Sequence, residues 1–182
     1  STPGFACKED DEFQYNFERA FPYVLTEDQE KAIEEIKKDM ESTSPMDRLL
    51  CGDVGFGKTE VAFRAAFKAI INGGQVALLC PTTLLCRQHY QRALERFSLF
   101  GVKIAQFSRF VPQSVQNEQI RLINEGKIHL IVGTHRLLSK EITIPNLRLL
   151  IVDEEQRFGV EHKERIKEVS RNIDILTLTA TP

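Results

Sequence analysis

The sequence predicts an α/β fold: a mostly parallel sheet with helices on both faces. Three observations carry this. Short apolar runs alternate with stretches of helical periodicity along nearly the whole chain. One apolar run, Leu49-Leu50-Cys51, leads straight into Gly52-Asp53-Val54-Gly55-Phe56-Gly57-Lys58-Thr59, a glycine-rich turn that opens a helix. The polar turns at 52–58, 81–83, 108–110, 133–136, 153–156 and 179–181 all fall where parallel strands would end, which is where such sheets bind ligands.

Each element has a local reason. Residues 1–20 are polar and acidic, with scattered aromatics Phe5, Phe13, Tyr15 and Phe17. They read as a lead-in linker that packs partly through those rings, ahead of one domain over 21–182. Thr26 and Gln29 form a capping box, and Ile33, Ile36 and Met40 give the apolar stripe of a helix to about residue 40. The run 49–51 reads as a short buried strand and 60–71 as the helix after it. Asn72-Gly73-Gly74 turns the chain into 75–80, a continuous apolar run expected to be a buried parallel strand. A helix is expected over 84–97, with Leu85, Tyr90, Leu94 and Phe97 as its apolar side. Strands are expected over 102–107, 127–132, 147–152 and 173–178, and helices over 113–124 and 158–171.

The glycine-rich turn matches the phosphate-loop pattern G-x-x-x-x-G-K-[ST] without deviation. Glycines let successive backbone N–H groups point at an anion, and the helix N-terminus adds its positive end. Gly52, Asp53, Val54, Gly55, Phe56, Gly57, Lys58, Thr59 and Glu60 are therefore the candidate nucleotide-binding segment. Lys58 would reach the β- and γ-phosphates, and the Thr59 hydroxyl would hold Mg²⁺. Asp153 ends the apolar run Leu149-Leu150-Ile151-Val152, and a carboxylate there would share the cation with Thr59. Glu154 beside it could orient and deprotonate an attacking water, which a nucleotide kinase does not need. An Asp-Glu-Glu run alone would be a solvated acidic turn; the phosphate loop gives it a partner. A small-molecule kinase would also want an arginine-rich lid segment, and none is present.

Composition bounds the rest. The 182 residues are 42% apolar and 27% charged, enough for one full core. The formal net charge of −2 gives no global electrostatic case for nucleic acid, so only local patches could bind it. No apolar run is long enough to span a membrane and no signal-peptide pattern opens the chain, so no membrane partner is expected. The four cysteines lack metal spacing; Cys51 and Cys80 lie in apolar runs and read as buried, reduced thiols, which suggests a reducing cytoplasm.

Beyond the loop and Asp153-Glu154-Glu155-Gln156, further blocks stand out: Pro81-Thr82-Thr83-Leu84-Leu85, Ser108-Arg109-Phe110, Gly133-Thr134-His135-Arg136-Leu137-Leu138 and Thr179-Ala180-Thr181. Together they resemble the first RecA-like motor domain of superfamily 2 helicases and translocases. Within it they are most similar to the family of bacterial transcription-repair coupling factors. The RecG fork-remodelling helicases share several blocks but usually read Asp-Glu-Gln-His at the acidic motif and lack Ser-Arg-Phe. The resemblance implies a RecA-like P-loop NTPase fold and an ATP- and Mg²⁺-dependent double-stranded DNA motor. It also implies RNA polymerase and excision-repair proteins as partners. It gives Gln29 a second reading beside the cap, as a reader of the adenine edge, with Phe21 stacking on the base. It assigns Glu154, Lys58 and Gln156 to catalysis, and Arg157, Thr179 and Thr181 to coupling hydrolysis to movement. The DNA-facing set it implies is Thr82, Thr83, Arg87, Gln88, Arg109, Thr134, His135 and Arg136; His135 and Arg136 alone would read as a solvated turn. Cys86 and Arg87 stand where the family has small residues and Gln more often. The family's motor has a second RecA-like domain, which lies beyond Pro182, so this chain alone is expected to turn over almost no ATP. RecG-like unwinding of branched DNA, and a nucleotide switch without motor activity, are the alternatives. Thr179-Ala180-Thr181 argues against the switch, because a switch needs no coupling motif.

Overall fold

The structure, a computed structural model, describes residues 6–52 and 56–180, with the backbone alone at Phe56. Asp53, Val54, Gly55 and Thr181 of the expected site, and Phe5 of the lead-in segment, lie outside the described residues. Six strands form one sheet: β1 (Asp47–Cys51), β2 (Gln75–Leu79), β3 (Ile104–Phe107), β4 (Leu130–Gly133), β5 (Leu147–Asp153) and β6 (Asp174–Thr179). Their order is β1-β6-β5-β2-β4-β3, and each pair is parallel. The helices are α1 (Glu12–Arg19), α2 (Glu27–Met40), α3 (Phe56–Ile71), α4 (Thr83–Phe97), α5 (Gln113–Asn124) and α6 (Val160–Val169). Single 3₁₀ turns at His135–Leu138 and Glu155–Arg157 follow β4 and β5.

The sheet separates two cores. On one face Leu50, Val76, Leu78, Leu149, Ile151, Leu176 and Leu178 pack against α1 to α4. On the other, Ala77, Leu79, Phe107, Ile131, Leu150 and Val152 pack against Ile123 of α5 and Ile166 of α6. Alternate residues of β2, β4 and β5 thus serve opposite faces, and β2, central and covered on both, is buried at all five positions. The α2 stripe Ile33, Ile36 and Met40 is buried as its spacing requires, and the Thr26–Gln29 capping box is formed.

Three expectations are corrected. First, β1 is an edge strand paired only with β6, so of its apolar residues only Leu50 is buried; Leu49 and Cys51 are exposed. Among the described residues no β1 residue belongs to the second core. Second, α3 begins at Phe56, ahead of the periodic stretch 60–71 and two residues before Lys58, where the helix is expected to start. Third, the inward side of α4 is Cys86, His89, Ala93 and Phe97; Leu94 is exposed. The lead-in segment does pack, but through Phe17 alone of its described rings, since Phe13 and Tyr15 are exposed.

Candidate functional site

Every expected site segment after a strand lies at the carboxyl edge of this sheet. β1, β6 and β5 occupy one half of it, and β2, β4 and β3 the other. The first half builds a cavity of about 560 Å³ against the end of β1, lined by Phe21, Tyr23, Gln29, Gly52, Gly57 and Lys58, among others. Gly52 N–H donates to the Thr179 carbonyl at 3.2 Å, tying the loop to the end of β6. Lys58 and Thr59 lie in the first turn of α3, and Lys58 has no hydrogen bond or ion pair among the described residues.

Gln29 meets the loop directly. Its Oε1 accepts from Thr26 N–H at 2.9 Å, and a Cβ on Gly57 would fall inside the Gln29 amide. The capping role is therefore real, and it leaves Nε2 and a second lone pair of Oε1 at the cavity wall. Phe21 lines the same cavity and sits edge-on to Tyr23, ring centroids 5.6 Å apart. Glu60 behaves differently. Its carboxylate accepts from Arg64 Nε and Arg96 Nε, both at 2.7 Å, and is buried. Its side chain therefore braces α3 against α4 instead of meeting phosphate.

Asp153 is buried at the end of β5, two strand spacings from β1, about 10 Å. Its Oδ2 accepts from Nε2 of His89 at 2.7 Å. Among the described residues no hydrogen bond reaches Oδ1, the oxygen left for a cation. Asp153 and the buried hydroxyl residue Thr59 are hard oxygen donors, the chemistry Mg²⁺ requires. Glu154 has φ 50° and ψ 55°, a left-handed conformation that costs a non-glycine residue about 1–2 kcal/mol. Its N–H donates to Leu178 O at 2.9 Å, and Arg157 Nη1 lies 3.7 Å from its carboxylate. Gln156 and Arg157 are exposed on the 3₁₀ turn that follows. β6 lies between the two halves of this site: Thr179 pairs with Cys51, and Leu178 with Asp153. His89 is a site residue that no sequence motif singles out. The signal available was its helical spacing with Cys86, Ala93 and Phe97, which turns an imidazole inward toward the strand ends.

The other half holds the expected DNA set. Arg87, Gln88, Arg109 and His135 are exposed, and Thr82, Thr83 and Arg136 are half-buried. Thr82 caps α4, its hydroxyl accepting from Leu85 N–H at 3.2 Å. Thr134 is buried, and its hydroxyl accepts from Arg136 N–H as the cap of the 3₁₀ turn. The hydroxyl thereby shapes the turn as an acceptor, and its own O–H is not used by that bond. His135 stacks on His162 of α6, centroids 4.7 Å apart and planes at 16°. Burial, helped by His162, Arg136 and Arg109, holds the His135 pKa below the ordinary imidazole value. Arg136 Nη2 donates to Gln116 Oε1 at 3.0 Å, and the Arg109 guanidinium lies 4.9 Å from the centre of the exposed Phe110 ring. Arg109 and Arg136 thus form one electropositive neighbourhood around His135 at the ends of β3 and β4.

Residues 26–182 match the model of the DEAD/DEAH box helicase family. The chain is 58% identical over all 182 residues to the transcription-repair-coupling factor of Bacillus subtilis (strain 168), of which it covers 16%. It is 57% identical over 180 residues, 98% of its length, to that of Staphylococcus aureus (strain USA300), of which it covers 15%. The chain therefore spans about a sixth of these relatives' length. Among solved structures, RecG bound to a three-way DNA junction superposes with a TM-score of 0.86 at 35% identity, over 99% of this chain and 24% of that one. The sheet is thus the RecA-like fold that the motifs implied. Among the described residues no helix is long and apolar enough to cross a membrane.

Proposed function

Because this chain belongs to the DEAD/DEAH box helicase family, we propose that it is the ATP-binding half of an ATP-dependent double-stranded DNA translocase. That motor displaces stalled RNA polymerase and couples transcription to nucleotide-excision repair in the bacterial cytoplasm. The observation that carries the reading is the cavity gathering Phe21, Gln29, Gly57 and Lys58, two strands from Asp153 and Glu154.

Phe21 stacks on adenine, and the Gln29 amide reads its edge. Loop N–H groups and Lys58 hold the phosphates. Thr59 and Asp153 hold Mg²⁺, which when bound neutralises charge on the β- and γ-phosphates. Glu154 orients a water and takes its proton as the water oxygen bonds to the γ-phosphorus. The bond from that phosphorus to the β-bridging oxygen breaks, and ADP leaves with the electron pair. Gln156 supports that step from the adjoining turn. Arg157, Thr179 and Thr181 pass the change on to the DNA-facing edge. There Thr82, Thr83, Arg87, Gln88, Arg109, His135 and Arg136 grip phosphates without sequence preference. A second RecA-like domain of the same protein supplies arginines to the γ-phosphate, an effect worth about 10³–10⁵ in rate in comparable systems. This chain alone accordingly turns over almost no ATP. The polymerase-displacing assignment is supported by 58% identity to a transcription-repair-coupling factor, against 35% to RecG. The RecG superposition is the observation that favours a branched-DNA helicase instead.

In the full-length protein, Glu154→Gln is expected to keep ATP affinity within about threefold and lower kcat by about 10²–10⁴. Turnover within threefold of wild type removes Glu154 from catalysis. ATP-dependent release of a stalled elongation complex supports the polymerase assignment. Branched-DNA unwinding without such release transfers the chain to the RecG-like reading.

A further inference from the structure

His89 has no role in the nucleotide site drawn above, yet it touches that site's expected metal ligand. It is 5% exposed, Asp153 is 6% exposed, and Nε2 stands 2.7 Å from Oδ2. Its other ring nitrogen, Nδ1, is buried with no hydrogen-bond partner among the described residues. A buried polar atom without a partner is unfavourable by about 1–3 kcal/mol. A leucine in its place would avoid that cost, so packing alone does not account for an imidazole here. What only the imidazole supplies is the N–H aimed at Asp153. With Oδ2 engaged, the carboxylate cannot rotate freely, and Oδ1 is presented in one direction. His89 sits on α4 two turns beyond Thr82 and Thr83, and directly after Arg87 and Gln88. One rigid helix therefore carries the DNA-facing residues at its start and a hand on Asp153 at its middle.

We propose that His89 is a positioning residue: it holds the Asp153 carboxylate in the orientation that binds the nucleotide's divalent cation, and so ties α4 to the ATP site. The inference rests on the reading of Asp153 as a metal ligand. Removing an outer hydrogen-bond partner of a metal ligand typically lowers metal affinity or activity by about 10–100-fold.

The test is Mn²⁺ binding in the presence of ADP, followed by electron paramagnetic resonance on the full chain, beside ADP affinity without metal and a thermal melt. His89→Leu is expected to weaken Mn²⁺ binding at least about tenfold, with metal-free ADP affinity within about twofold. His89→Gln, whose amide nitrogen reaches about as far as imidazole Nε2, is expected to recover Mn²⁺ affinity to within threefold. Wild-type Mn²⁺ affinity in His89→Leu overturns the proposal, provided Asp153→Asn loses that affinity. If Asp153→Asn also binds as wild type, the metal-site reading itself fails and takes this inference with it. Should His89→Leu not fold, His89→Met, which also lacks an N–H toward Asp153, takes its place: at least about a tenfold loss of Mn²⁺ affinity supports the proposal, and wild-type affinity overturns it.

Discussion

Gln29 and Gly57 meet so closely that neither can be understood alone. Gly57 belongs to the phosphate loop, but the atom a Cβ there would strike is the Gln29 amide, the far end of a flexible side chain. Gly57→Ala therefore has little reason to unfold the chain. Alanine favours the first turn of α3 by up to about 1 kcal/mol, offsetting a loss of similar size when Gln29 leaves the Thr26 N–H. What the methyl moves is the base-reading amide. Gly57→Ala is thus expected to leave the melting temperature within a few degrees while discrimination of ATP over GTP falls to the level of Gln29→Ala. Competition binding with the two nucleotides measures it, and wild-type discrimination in Gly57→Ala would remove Gln29 from base reading. Glu154 shows the same local economy from another side. Its left-handed backbone, held by the bond to Leu178 O, fixes where the carboxylate leaves the strand.

At the scale of elements, β1 is the strand that bears the phosphate loop, and it has only one neighbour in the sheet. Its entry is pinned by Asp174: Met46 N–H donates to Oδ1 at 2.6 Å, and Ile175 N–H donates to Met46 O at 2.8 Å. Burial raises the Asp174 pKa from 3.8 to about 6. An acid whose folded pKa is raised binds its proton more tightly when folded. Its contribution to stability is full below pH 3.8 and is lost as pH rises through 6. Asp174→Asn keeps an acceptor for Met46 N–H and carries no charge. It is expected to melt above the wild type at pH 8, with the margin shrinking below pH 6 and smallest at pH 4. Thermal melts across that range check this, and a less stable variant at pH 8 would sink it. Such pins also mark what the sequence could and could not reveal. The continuous run 75–79, the capping box and the phosphate loop were legible because each rests on neighbours in the chain. The exposure of Leu49 and Cys51 was not, because it depends on β1 standing at the sheet edge. Nor was His89, whose partner is 64 residues away, nor the inward turn of Glu60 toward Arg96.

Across the whole molecule, the lead-in segment decides whether 21–182 is a domain by itself. Phe17 is fully buried, stacks on Phe67 at 4.2 Å and Phe97 at 5.0 Å, and lies under the Arg96 guanidinium at 3.7 Å. Those contacts join α1 to α3 and α4, the helices that carry the phosphate loop and the DNA-facing edge. Asp10 binds Lys37 and Lys68, each at 2.6 Å, and Lys68 is entirely buried. Glu18 also reaches Lys37 at 2.6 Å. Cutting the chain before Phe21 would expose two phenylalanine faces and leave Lys68 with Glu41 as its one remaining carboxylate among these contacts. Breaking a buried ion pair from one side costs about 3–5 kcal/mol, and Phe→Ala in a core costs about the same. A domain of this size is stable by only about 5–15 kcal/mol, so the two losses together approach the whole. Phe17→Ala is therefore expected to lower unfolding free energy by about 3–5 kcal/mol in urea titration. A chain starting at residue 21 is expected to show no cooperative transition. A truncated chain with the wild-type midpoint would return residues 1–20 to the status of a linker. The intermediate case separates the two contributions: a cooperative truncated chain, destabilised no further than Phe17→Ala, would mean that the ring stack holds α1 in place and the Asp10–Lys68 pair adds nothing net.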